Sequence, residues 1–192
     1  MFLSLDLRRY RDHLWKGVRP FAGGDEFTRW VLGRIMPVSL PHPEEEVWLW
    51  LGLMVVRKGK VAVKKLKQRY TALVAAEVFE TQLSVERSLG KELQKLGTYV
   101  RENWRLEPFQ GSPRFLAWIH DPWTPELRDH LALVAAWEVP EEAEARGGGV
   151  EWWSQDELDK MPASAWNGFS RWVPGLLRLY QEGGEPGGVA SA

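Results

Sequence analysis

Apolar and polar positions along this chain follow two rhythms, and the change from one to the other falls near residue 84. Before it, apolar residues come in runs or alternate. Val47–Val56, VWLWLGLMVV, carries no charge and fits a strand covered on both faces. Val61–Leu66 is a second strand, joined to the first by the polar turn Arg57-Lys58-Gly59-Lys60, so the two predict a hairpin. ALVAAEV from Ala72 predicts a third strand and then a loop. From Ser84 the spacing changes: Val85, Leu89, Leu93 and Leu96 recur four, four and three apart, which lays one apolar stripe along a helix. Ser84 suits the N-cap and Glu86 the first turn, while Gly97 suits a left-handed C-terminal cap, so a short helix is expected. Lys91 and Lys95 share one face of it.

Further on, Thr98–Glu107, Arg114–His120, Leu127–Val139 and Val150–Trp153 read as strands. Ser154-Gln155-Asp156-Glu157 has the form of a capping box opening a brief helix. Trp166–Gln181 reads as a final amphipathic helix, with Pro174 marking a kink or restart. Upstream, Leu3, Leu7, Tyr10 and Leu14 share a helical face, and Asp25 caps a second helix through Phe27, Trp30 and Val31. Pro37, Pro41 and Pro43 then force an extended connector. The expected organisation is a helical extension over residues 1–46, a main domain over 47–182 and a tail over 183–192.

The 192 residues, 44% hydrophobic and 27% charged, suffice to bury one substantial core. A net charge of -1 argues against a general polyanion binder. Without cysteine there are no disulfides, thiolate nucleophiles or cysteine-ligated metals. The first residues, MFLSLDLRRYRDH, lack the apolar core of a signal peptide, and no apolar run reaches the ~20 residues that span a bilayer. A cytoplasmic protein without membrane partners is expected. The absence of Cys, scarce Asn and abundant Arg lean towards a thermophilic source. Phosphate-binding glycine loops and the nucleophile elbow are missing. His13, His42, His120 and His130 form no metal-ligand spacing. Twelve tryptophans, spread from Trp15 to Trp172, read as packing residues rather than a stacking platform.

The stretch from Ala72 to Val100 resembles the signature region of the Nudix (MutT-like) hydrolases, whose box has the core R-E-U-x-E-E-x-G-U, with U a bulky aliphatic residue. Lys91-Glu92-Leu93 aligns with R-E-U, with Lys for the Arg. Glu77 falls where the box opens with glycine and Leu83 where its upstream Glu stands. Lys95 and Leu96 occupy the places of the Glu-Glu pair, and Gly97 matches the later glycine after a one-residue deletion. GGGVEWWSQDELDKM, a strand, a turn and a short helix, resembles the way such domains close. The resemblance covers residues 47–180 and implies an α+β fold, an α/β/α sandwich with a mixed sheet flanked by helices. In that family the helix carboxylates hold magnesium or manganese against a diphosphate. Glu92 is the one carboxylate retained, and hard cations need several oxygen ligands, so no resident cofactor and no catalytic residue is expected.

Three readings follow. In the first, a catalytically degenerate domain binds a nucleotide-derived ligand, with Lys64, Arg69, Lys91, Glu92 and Lys95 as ligand-binding residues. In the second, an active magnesium- or manganese-dependent hydrolase uses Glu92 with Glu77 or Glu80. In the third, the chain is a subunit or regulator that binds a protein partner through exposed tryptophans. Arg57, Lys58, Lys60, Lys64, Lys65, Lys67 and Arg69 form a basic block without an intervening acid. Strand alternation divides it between two faces, so weak binding to nucleic acid without sequence preference is expected.

Overall fold

A computed structural model describes residues 2–6, 16–22, 26–33, 35–38, 46–78, 85–147 and 149–183. Its centre is β4 (Glu46–Arg57), a twelve-residue strand that contains the foreseen uncharged run Val47–Val56. β4 lies parallel to β10 (His130–Glu138), with Trp48 opposite His130 and Val56 opposite Glu138. Strands buried on both faces need no polar alternation, which is why both read as nearly continuous apolar runs. β9 (Pro113–His120) flanks β10, and β2 (Gly17–Pro20) flanks β9.

The other side of β4 is shared. β1 (Phe2–Asp6) takes Glu46–Trp48, β7 (Leu73–Glu77) takes Trp50–Met54, and β5 (Lys60–Lys65) takes Val56 and Arg57. β3 (Met36–Val38) adds to β1, β6 (Tyr70–Thr71) to β5, and β12 (Val150–Trp153) to β5, completing ten strands. β8 (Leu106–Glu107) and β11 (Glu144–Ala145) pair separately.

Helices cover both faces. On one, α2 (Val85–Asn103) lays Leu89, Leu93, Leu96 and Val100 over Leu49, Leu51, Leu53, Leu131 and Leu133, and Val31 of α1 (Glu26–Leu32) joins that core. On the other, Leu158 of α3 (Gln155–Asp159) and Leu176 and Leu177 of α4 (Val173–Glu182) cover Met54, Val56, Ala132 and Val134. The result is the expected α/β/α sandwich. Among the described residues no helix is long and apolar enough to cross a membrane.

Four local expectations need correction. The helix predicted from Leu3 is not formed over Phe2–Asp6, which is a strand, because the end of β4 would otherwise expose its backbone donors and acceptors; residues 7–15 lie outside the described set, as does Ser84. α2 does not stop at Gly97. A Cβ there would lie 2.5 Å from Cζ3 of Trp137, so this glycine serves close approach, and the helix runs on to Asn103. Its end comes at Arg105, whose φ of 51° is left-handed. Thr98–Asn103 is therefore helical, and the strand predicted over Thr98–Glu107 shrinks to β8. The final helix begins only at Val173, after a 3-10 turn over Gly168–Trp172, with Pro174 in its first turn where a missing N–H is harmless. The hairpin turn is as foreseen: Lys58 and Gly59 both have positive φ, 48° and 69°, the geometry of a tight two-residue β-turn. The capping box also forms, with Glu157 accepting from the Ser154 backbone and hydroxyl, bonds that hold its carboxyl below the usual range.

Candidate ligand-binding site

The stripe of α2 faces the sheet, so its remaining residues define the site. Glu92 precedes Leu93 and is turned inward, with its side chain 8% exposed. Its charge is met within the same helix: Lys95 Nζ donates to Glu92 Oε1 at 2.5 Å, while the lysine side chain remains 59% exposed. Lys91 is exposed one turn before Lys95. These three residues form one group.

Lys64 and Arg69 do not join it. Lys64 Nζ donates to the carbonyl of Asn103, at the C-terminal end of α2, where a cation meets the negative pole of the helix. Twelve residues separate Asn103 from Lys91, roughly 18 Å along the axis. Arg69 is exposed on the turn between β5 and β6.

The basic block is divided as alternation required. Val61 and Val63 enter one core and Ala62 the other, leaving Lys60 and Lys65 exposed at the strand ends. Arg57 lies 4.3 Å over the Trp152 ring, donates to the Ala143 carbonyl and pairs with Glu144 at 2.9 Å. Lys58 pairs with Glu141. These cations clamp the hairpin to the loop after β10 rather than facing a common ligand.

A divalent ion does not fit the described part of α2. The carboxylates whose side chains are described on it are Glu92 and Glu102, ten residues or roughly 15 Å apart. Glu92 already has a cation. Glu77 ends β7 opposite Trp50, and Glu80 lies outside the described residues. Among the described residues no three His, Asp or Glu side chains converge as metal ligands.

Two features escaped the sequence reading. Trp48, Trp50 and Phe169 surround His130: the Trp50 and His130 rings stand 4.7 Å apart edge to face, and Phe169 lies 6.3 Å from the imidazole. Burial lowers the His130 pKa, and Asp129 opposes the shift. The alternation Trp48-x-Trp50 on a strand was the available signal. The second is a locked turn. Asp121 Oδ1 accepts from the Trp123 and Thr124 amides, its Oδ2 from the Thr124 hydroxyl, and Arg171 pairs with it at 3.8 Å. Trp123 is thereby held out, 73% exposed, and Lys16 stands 5.7 Å over its ring.

No protein-family model and no curated protein matches the chain. Among solved structures, the crystal structure of Tm1382, a candidate Nudix hydrolase, superimposes with a TM-score of 0.68, covering 93% of this chain and 98% of that one at 17% identity. The fold is Nudix-like. Identity at that level establishes the architecture of this Nudix-like chain and nothing finer. DR0079 from Deinococcus radiodurans (TM-score 0.46, 16% identity, 91% and 97% coverage) aligns more loosely. So does the C-terminal domain of mouse MUTYH, solved with human PCNA (0.43, 13%, 70% and 88%).

Proposed function

We propose that this Nudix-like domain binds a phosphate-bearing, nucleotide-derived ligand without hydrolysing it. The observation that carries the reading is the Glu92–Lys95 pair: the retained carboxylate is turned inward and neutralised by a lysine of its own helix. Hydrolysis in this fold family's manner needs carboxylates free to gather a hard cation, several oxygens at a time. Lys91 offers instead a cation on the exposed helix face, suited to phosphoryl oxygens as a point charge, and the Lys95 ammonium one turn on keeps N–H donors beyond the one given to Glu92. Lys64 and Arg69 would contact only a ligand long enough to leave α2, so the primary contacts are assigned to Lys91 and Lys95.

The test has two arms. Binding of ADP-ribose, NAD or a dinucleoside polyphosphate is measured by calorimetry in EDTA, with Lys91→Ala as the variant. Persistent binding weakened by that substitution is expected. Turnover of a panel of nucleoside diphosphate derivatives is measured with magnesium and with manganese, and none is expected. Metal-dependent turnover abolished by Glu92→Gln would establish the hydrolase alternative. The protein-interaction alternative draws on Trp123, but it lacks a patch: among the described tryptophans every other one is buried or half-buried.

A further inference from the structure

A carboxylate drawn below a protein surface must lose its charge or acquire a counter-ion. On α2 the counter-ion is supplied three residues on. The Lys95 ammonium lies 2.5 Å from Glu92 Oε1, and its side chain is far more exposed than the carboxylate it covers. It therefore stands on the solvent side of Glu92, along the approach a hydrated metal ion would take. A divalent ion arriving there would have to expel the ammonium and then find further oxygen ligands, and the other described carboxylate of α2, Glu102, is ten residues away.

We infer that α2 carries an occupied cation site, in which the Lys95 ammonium is the resident cation of Glu92 and excludes divalent metals from it. The inference deepens the reading of the domain as a non-hydrolytic binder, which it rests on, and adds what sets its metal independence: one lysine. Replacing that lysine by a carboxylate places two acids one turn apart on the same face and converts the site from self-neutralised to metal-demanding.

The experiment uses the full chain as wild type, Glu92→Gln, Lys95→Glu, and Lys95→Glu combined with Glu92→Gln. Manganese binding is followed by the electron paramagnetic resonance of free Mn2+, and thermal midpoints are recorded in EDTA and in Mn2+. The wild type is expected to show the same midpoint in both and no manganese binding that Glu92→Gln removes. Lys95→Glu is expected to melt about 5 °C lower in EDTA, as like charges meet where a pair stood. Mn2+ should restore part of that loss and bind one per chain, and the double variant should show neither effect.

Glu92-dependent manganese binding by the wild type, or indifference of Lys95→Glu to manganese, overturns the inference. If Lys95→Glu does not fold, Lys95→Gln serves: it strips the inward carboxylate of its cation and should melt below the wild type, and an unchanged midpoint overturns the inference equally. Turnover by a wild type whose manganese does not depend on Glu92 would remove the proposed function and leave this inference standing. Glu92-dependent manganese binding without turnover would do the reverse.

Discussion

Two glycines seven residues apart on α2 should respond to the same substitution with opposite signs. A Cβ added at Gly97 would lie 2.5 Å from Trp137 Cζ3 and 3.0 Å from its Cη2, distances that require movement. The indole cannot readily retreat, because its Nε1 donates to the Gln110 carbonyl and Phe109 packs 4.8 Å away. Overpacking of this kind costs about 1–3 kcal/mol. Against it stands the gain in helix propensity from Gly to Ala, about 1 kcal/mol. The clash should prevail, leaving Gly97→Ala destabilised by about 1 kcal/mol (the middle of the overpacking range less the propensity gain), or roughly 3 °C in thermal midpoint. At Gly90 an added Cβ meets nothing within 4 Å, so there the propensity gain stands alone and Gly90→Ala should stabilise by about 1 kcal/mol. Urea denaturation of both variants, with equal slopes, measures the pair. Gly97→Ala as stable as wild type would refute the role assigned to Trp137, and a neutral Gly90→Ala would refute the propensity term.

Three further outcomes follow from the same structure. Ser170 Oγ accepts the buried amides of Ala72 and Leu73 at 3.1 and 3.0 Å, so Ser170→Ala should cost about 2–4 kcal/mol and speed amide exchange at those two residues; unchanged exchange would contradict it. His130 has a lowered folded-state pKa, so the unfolded chain takes up its proton first, and this group's contribution to stability should be lost as pH falls below about 6.5. His130→Phe should flatten that part of the stability–pH curve, and an unaltered slope would locate the dependence elsewhere. With Arg57, Lys58 and Lys64 committed to internal partners, affinity for a short DNA duplex or single strand should be weak and should fall steeply from low to physiological salt. Tight binding that withstands salt would place a nucleic-acid function first.

What could be read from the chain alone was set by local physics. The β4–β5 hairpin, β9, β10, β12 and the capping box were legible because burial on two faces, turn stereochemistry and cap chemistry are each written within a few residues. The errors fell where a distant partner decides. Gly97 looks like a helix stop until Trp137, forty residues on, is laid against it. Phe2–Asp6 keeps a helical spacing yet is taken into the sheet by the unfilled end of β4. The grouping of the candidate residues was half legible. Lys91, Glu92 and Lys95 do form a group on one helix, as their spacing required. Lys64 lies at the opposite end of α2, since its place follows from the length of a helix that the sequence pattern cut short.

The parallel pairing of β4 with β10 also sets a timetable for the nascent chain. Trp48 and His130, opposite one another in the sheet, are separated by 82 residues of sequence (130 − 48). At a synthesis rate of about 5–20 residues per second, β4 waits roughly 4–16 s after its own emergence before β10 has been made. β5 and β7, which follow it closely, can pair with its other edge during that interval, whereas the β10 edge stays open. A strongly apolar strand must therefore be sheltered over that interval, and delays in translation between residues 78 and 130 should raise the fraction of chains that aggregate before the sheet is closed.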